Sequence, residues 1–118
     1  MKLKKIKLHS KKQNFELNLE VCGFFKKISG LMFKTENSRP LLFEFKKSVN
    51  MAIHSWFVFF PFAAIWLDEE NKIIDSEIVG PFKFNILPEK PFRRLIEIPV
   101  NEKNREIISI LVGSKTFK

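Results

Sequence analysis

The chain has 118 residues, 45% of them hydrophobic and 29% charged, and a net charge of +8. That length holds one domain with one core, and the composition is ordinary for a globular protein. A lone cysteine, Cys22, excludes an internal disulfide and fits a reducing cytoplasm, and no apolar stretch follows the basic start at Met1–Lys5, so no secretory leader is expected.

In chain order, Leu3, Ile6 and Leu8 alternate imperfectly among lysines, which predicts a short edge strand whose cations deter edge-to-edge pairing. Phe15, Leu17, Leu19 and Val21 alternate strictly with polar residues and predict a half-buried strand. Phe24–Ser29 has room for one or two helical turns before Gly30, and Leu41–Phe45 after Pro40 reads as a short strand.

The next stretch, Ser48 to Leu67, runs for 20 residues without Asp, Glu, Lys or Arg, long enough to cross a bilayer as a helix. Its details oppose that. Asn50, His54 and Ser55 put polar groups inside the run, and Pro61 would break a helix near its middle. Phe, Trp, Val and Ile dominate, which favours a strand over Ile53–Phe60 ended by Pro61, with a further extended piece from Phe62 to Leu67. On such a strand Ile53, Ser55, Phe57 and Phe59 face one way and His54, Trp56, Val58 and Phe60 the other.

Asp68–Asn71 then predicts a hairpin turn into a strand over Lys72–Val79. Three prolines make Gly80–Pro91 a loop. Arg93–Ile98 reads as a strand ended by Pro99. Asn101 caps a short helix with Glu102 in its first turn and Ile107, Ile108 and Leu111 on its apolar side, and Val112–Phe117 closes as a strand. Many short strands, one or two short helices and proline-bearing turns predict a mainly β fold, a compact single-domain sandwich or barrel over residues 1–118.

The charge is lopsided. Residues 1–47 carry 12 Lys/Arg against 4 Asp/Glu, whereas residues 48–118 carry 9 of each. Six lysines (Lys2, Lys4, Lys5, Lys7, Lys11 and Lys12) fall within residues 1–12 and offer a polyanion-binding arm. A chain rich in Lys, Ile, Asn and Phe and poor in Ala also matches AT-rich coding, and that bias accounts for the lysines better than a dedicated site does.

Several segments in order resemble one family: Gly30-Leu31-Met32-Phe33-Lys34, Leu41-Leu42-Phe43-Glu44-Phe45, Ile53-His54-Ser55-Trp56 through Pro61, Trp66-Leu67-Asp68 and Leu95-Ile96-Glu97-Ile98-Pro99. The chain is similar, over residues 14–117, to the uncharacterised prokaryotic family called domain of unknown function 192. That resemblance implies a compact mainly β fold with short helices and implies no reaction. One departure stands out: where the family usually places an acidic residue after the proline of its "FP" segment, this chain has Ala63.

His54 is the candidate switch, base or ligand contact, weighed against a structural histidine satisfied by a backbone carbonyl. Neighbouring Ser55 points to the opposite face of a strand, so the two do not form a nucleophile and base pair. His9, Cys22 and His54 lack metal-ligand spacing, the four glycines form no phosphate loop, and no cofactor is expected. Phe82 and Phe84, with Phe92 beside Lys83, Lys90, Arg93 and Arg94, form a candidate stacking surface, against the alternative of a lid folded over one end of the fold. The sequence therefore points to a small cytoplasmic binding or interaction module for an unknown small molecule or protein, with no membrane partner. Its candidate contact residues are His54, Trp56, Met32, Phe82 and Phe84. The alternatives are nucleic-acid binding through the N-terminal lysines and a hydrolase-like enzyme using His54.

Overall fold

The structure is a computed structural model, and it describes residues 2–9, 14–22, 34–35, 37–55 and 57–112. Six strands, β1 (Leu3–His9), β2 (Asn14–Val21), β3 (Leu41–Val49), β4 (Phe62–Leu67), β5 (Ile73–Val79) and β6 (Phe92–Pro99), form one sheet in the order β1-β2-β3-β6-β4-β5. All neighbours are antiparallel except β2 and β3. The sheet curls into a half-barrel. Its two edges approach at one corner, where the His9 amide donates to the Asn71 carbonyl at 2.9 Å. A helix, α1 (Arg105–Val112), follows β6. No helix among the described residues is long and apolar enough to cross a membrane.

The centre of the sheet is where the sequence is continuously apolar. All six residues of β4 (FAAIWL) are buried, as expected for a strand covered on both faces. On one face Ala63, Ile65, Leu67, Leu42, Ile96 and Ile98 pack with Ile6, Leu8 and Leu19 and with Ile108, Leu111 and Val112 of α1. On the other, Phe62, Ala64, Trp66, Leu41, Phe43 and Leu95 lie beneath Ile53, Val58, Phe60 and Ile86, which come from the two connections between β3 and β4 and between β5 and β6. Ala63, where the family resemblance implies an acid, is fully buried in the layer beneath α1, so this chain fills that position by apolar packing.

The hairpin at Asp68–Asn71 forms as predicted. Asp68 Oδ1 accepts the amides of Glu70 (2.8 Å) and Lys72 (3.0 Å), and Asn71 takes the left-handed φ of 63° that asparagine tolerates. Asn101 caps the helical segment by accepting the Asn104 amide at 2.8 Å, but the regular helix starts only at Arg105, so the acid in its first turn is Glu106 and not Glu102. Val112 belongs to this helix and not to a final strand, and the rest of that predicted strand lies outside the described residues, as do Phe24–Ser29.

Two strand predictions change. β3 runs on from Phe45 to Val49, with an irregular register between Glu44 and Val49; there the Arg93 side chain donates to the Phe45 carbonyl at 2.6 Å. Ile53–Phe60 does not form a strand. Ile53 makes one antiparallel bridge to Ile86, and the chain then turns, with the Val58 amide donating to the Ser55 carbonyl at 3.1 Å. β propensity is satisfied by packing as well as by pairing, and here Val58 and Phe60 pack down on the sheet while Phe57 and Phe59 stay exposed.

Candidate functional site

The two connections over the open face of the sheet, residues 50–61 and 80–91, are held together by one serine. Ser55 is fully buried. Its hydroxyl donates to the Gly80 carbonyl at 2.7 Å and accepts the Lys83 amide at 2.6 Å. Its own amide donates to the Lys83 carbonyl at 2.7 Å, and its carbonyl accepts the Phe82 amide at 2.9 Å. A serine can make all of these bonds at once because its hydroxyl both donates and accepts. The hydroxyl is thereby committed to joining the loops and is closed to chemistry as a nucleophile.

This fastening fixes four rings at the surface: Phe57 is 41% exposed, Phe59 61%, Phe82 45% and Phe84 61%. Phe82 sits at the centre, edge-to-face with Phe59 (centroids 5.3 Å apart) and with Phe57 (6.3 Å). Phe57 and Phe82 have φ of 56° and 57°, a left-handed conformation that costs an L residue about 1–2 kcal/mol. Such strain persists only where the surroundings over-determine it, and it clusters at functional sites.

Of the residues singled out from sequence, His54, Phe82 and Phe84 fall on these two connections and are exposed. Trp56 and Met32 lie outside the described residues. Phe92, by contrast, is fully buried, edge-to-face with Phe45, so it is no part of a surface platform. Lys4, Lys5 and Lys7 are exposed on β1 and Lys2 is exposed just before it; Lys11 and Lys12 lie outside the described residues. Lys4 is held by Glu44 at 2.8 Å and Lys5 approaches Glu16 at 3.3 Å, so part of that positive charge is met within the chain. Burial raises the Glu44 carboxyl, but hydrogen bonds and charge from Lys4 and Arg94 outweigh it and hold the group below its ordinary value.

Sequence reasoning missed Glu97. It was read as part of an alternating strand, yet it lies in the middle of the sheet between Leu41 of β3 and Ala64 of β4, only 6% exposed. Burial pushes its carboxyl up to about 8, so the folded chain holds it neutral at physiological pH. Diagonally across the same face is Trp66, whose buried indole N–H finds no hydrogen-bond partner among the described residues. Glu20, also buried, occupies the same cross-sheet row on the far side of Leu41. The signal available in sequence was a single acid inside Leu95–Val100, where every neighbour is apolar.

Elsewhere, a depression of about 550 Å³ before α1 is lined by Asn37, Val100, Asn101, Glu102, Lys103 and Arg105, and it contains none of the residues singled out above. Among the described residues no three His, Cys, Asp or Glu side chains converge as metal ligands do.

Comparison with known proteins gives a consistent result. The model of the family DUF192, described as "Uncharacterized ACR", matches residues 6–114. A UPF0127 protein from Pyrococcus abyssi is 27% identical over 108 residues, covering 90% of each chain. A protein of unknown function from Novosphingobium aromaticivorans has a similar structure, with a TM-score of 0.72 at 14% identity over 89% of this chain and 78% of the other. A second structure, from Sinorhizobium meliloti and described as a proposed transcription regulator, superposes with a TM-score of 0.74 at 16% identity over 92% of this chain and 88% of the other. At such identities these two structures establish a shared fold.

Proposed function

We propose, for a chain that belongs to the DUF192 family, that it is a small binding module whose contact surface is the aromatic tip formed by Phe57, Phe59, Phe82 and Phe84. The observation that carries this reading is the edge-to-face cluster of Phe57, Phe59 and Phe82, exposed on two connections that Ser55 joins, with Phe57 and Phe82 on strained backbone and Phe84 exposed two residues further on. A monomeric surface normally scatters its exposed apolar residues; a contiguous aromatic cluster marks a place of contact. Loops positioned by a rigid sheet are the usual seat of binding. His54 is exposed on the first of the two connections. With a single cysteine, which is buried, the module is suited to a reducing cytoplasm.

The reading is tested with two probes, a phage-displayed random peptide library and a pool of random oligonucleotides, each selected on the immobilised full-length chain. Ligands should be enriched from at least one pool and lost when both Phe59 and Phe84 are changed to Ala. Enrichment that survives the double substitution moves binding elsewhere on the molecule, and no enrichment from either pool removes the proposal.

A further inference from the structure

We infer that the ligand of this aromatic tip is a single strand of nucleic acid, whose unpaired bases stack on the exposed rings while its phosphates meet Lys83 of the loops and Lys46 and Lys47 of the strand that precedes them. The inference rests on the binding reading above and names the ligand class. It places nucleic acid at the loops and not at the lysines of β1, two of which are engaged with Glu44 and Glu16.

Single-strand platforms combine ring faces with cations and tolerate any sequence, because every base has a π face. The tip has both components. Phe59 and Phe84 are each 61% exposed, and edge-to-face packing of Phe82 against Phe57 and Phe59 leaves ring surface open to a further planar group. Lys83 lies between Phe82 and Phe84 in the chain, exposed Lys90 lies further along the same connection, and exposed Lys46 and Lys47 lie in the second half of β3, before Ser48 and Val49 lead into the first connection. Carboxylates are scarce in the same segments: the first connection has none, with no Asp or Glu between Glu44 and Asp68, and the second has only Glu89 near its end, with none between Glu77 and Glu89. An apolar peptide would be served by the rings alone, whereas this interleaving of rings with cations and the scarcity of acids complement a polyanion that carries planar groups. The chain has no tyrosine, so the platform presents ring faces without hydroxyls to read base edges, and it should bind with little sequence preference.

The test is fluorescence anisotropy of the full chain with a fluorescein-labelled oligothymidylate of roughly 12 nucleotides, a length within the usual site size. An abasic strand of the same length and a duplex serve as comparisons. The thymidylate should bind at low salt, with a log–log salt slope near about −2 if Lys46, Lys47 and Lys83 each meet one phosphate. Phe59→Ala and Phe84→Ala should each weaken it about tenfold or more, and both residues are exposed, so circular dichroism should show the fold retained. The abasic strand should bind correspondingly weakly and be indifferent to the phenylalanine changes. Equal binding of abasic strand or duplex, or undiminished binding by the variants, overturns the inference. Tip-dependent binding of selected peptides with no binding of thymidylate overturns it too while leaving the binding module standing; failure of both removes the two together.

Discussion

The two faces of the sheet are built to different specifications. The face under α1 is apolar where the helix covers it: Ala63, Ile65, Leu67, Ile96 and Ile98 pack with Ile108, Leu111 and Val112, and the charged groups on the same side of the sheet, Lys4, Glu44 and Arg94, pair with one another and stay partly exposed. The face under the loops also buries large side chains but holds a neutral Glu97, an indole N–H without a partner among the described residues and two phenylalanines at positive φ. Buried polar groups without partners and strained backbone lower stability. Their concentration on one face separates the part of the molecule that holds the fold from the part that is free to serve another purpose.

The largest effect should come from Glu97. Between the ordinary carboxyl value of 4.5 and about 8, the folded chain keeps this proton while the unfolded chain loses it. The native state then binds more protons, so stability falls as pH rises through this window, by about 1.4 kcal/mol per pH unit. Glu97→Gln should flatten urea-denaturation stability across pH 5–8 and raise it at pH 8, by on the order of 4 kcal/mol. An unchanged pH profile would erase the contrast between the faces.

Next, Ile65→Ala on the helix-covered face should cost roughly 3 kcal/mol in the same measurement, through lost burial and the cavity left behind, with no change in ligand binding by the folded fraction. A loss of affinity there would show that the two faces are coupled. Ser55→Ala should cost about 2 kcal/mol, because the Gly80 carbonyl and the Lys83 amide lose their hydroxyl partner. Unlike Ile65→Ala, it should also weaken binding at the tip and raise amide exchange in both connections. The smallest effect is Asn101→Ala, about 1 kcal/mol from the lost cap, confined to thermal stability and without effect on binding.

Glu97 and the Ile53–Phe60 segment show where sequence reading stopped. The pattern of Arg93–Ile98 predicts a strand without saying which of its polar residues meets water, and Arg93 and Arg94 are partly buried whereas Glu97 is buried. Nothing local says that β6 inserts between β3 and β4, which takes Glu97 out of water. His54, Phe82 and Phe84 stand out from chemistry alone, and alternation groups Phe57 with Phe59 and Val58 with Phe60, but nothing local says which pair meets water. Ser55 was weighed as a nucleophile and set aside; its role as a fastener depends on loop carbonyls and amides some 25 residues away.

By itself the sequence determined a mainly β single domain, its family, the Asp68–Asn71 hairpin and the Asn101 cap, because alternation, turn chemistry and capping act over a few residues. The tertiary structure decided the rest: the insertion of β6, the neutral Glu97 and the outward phenylalanines. Those depend on which distant segments share a boundary with water, and burial is a property of the assembled sheet that no short stretch of chain contains.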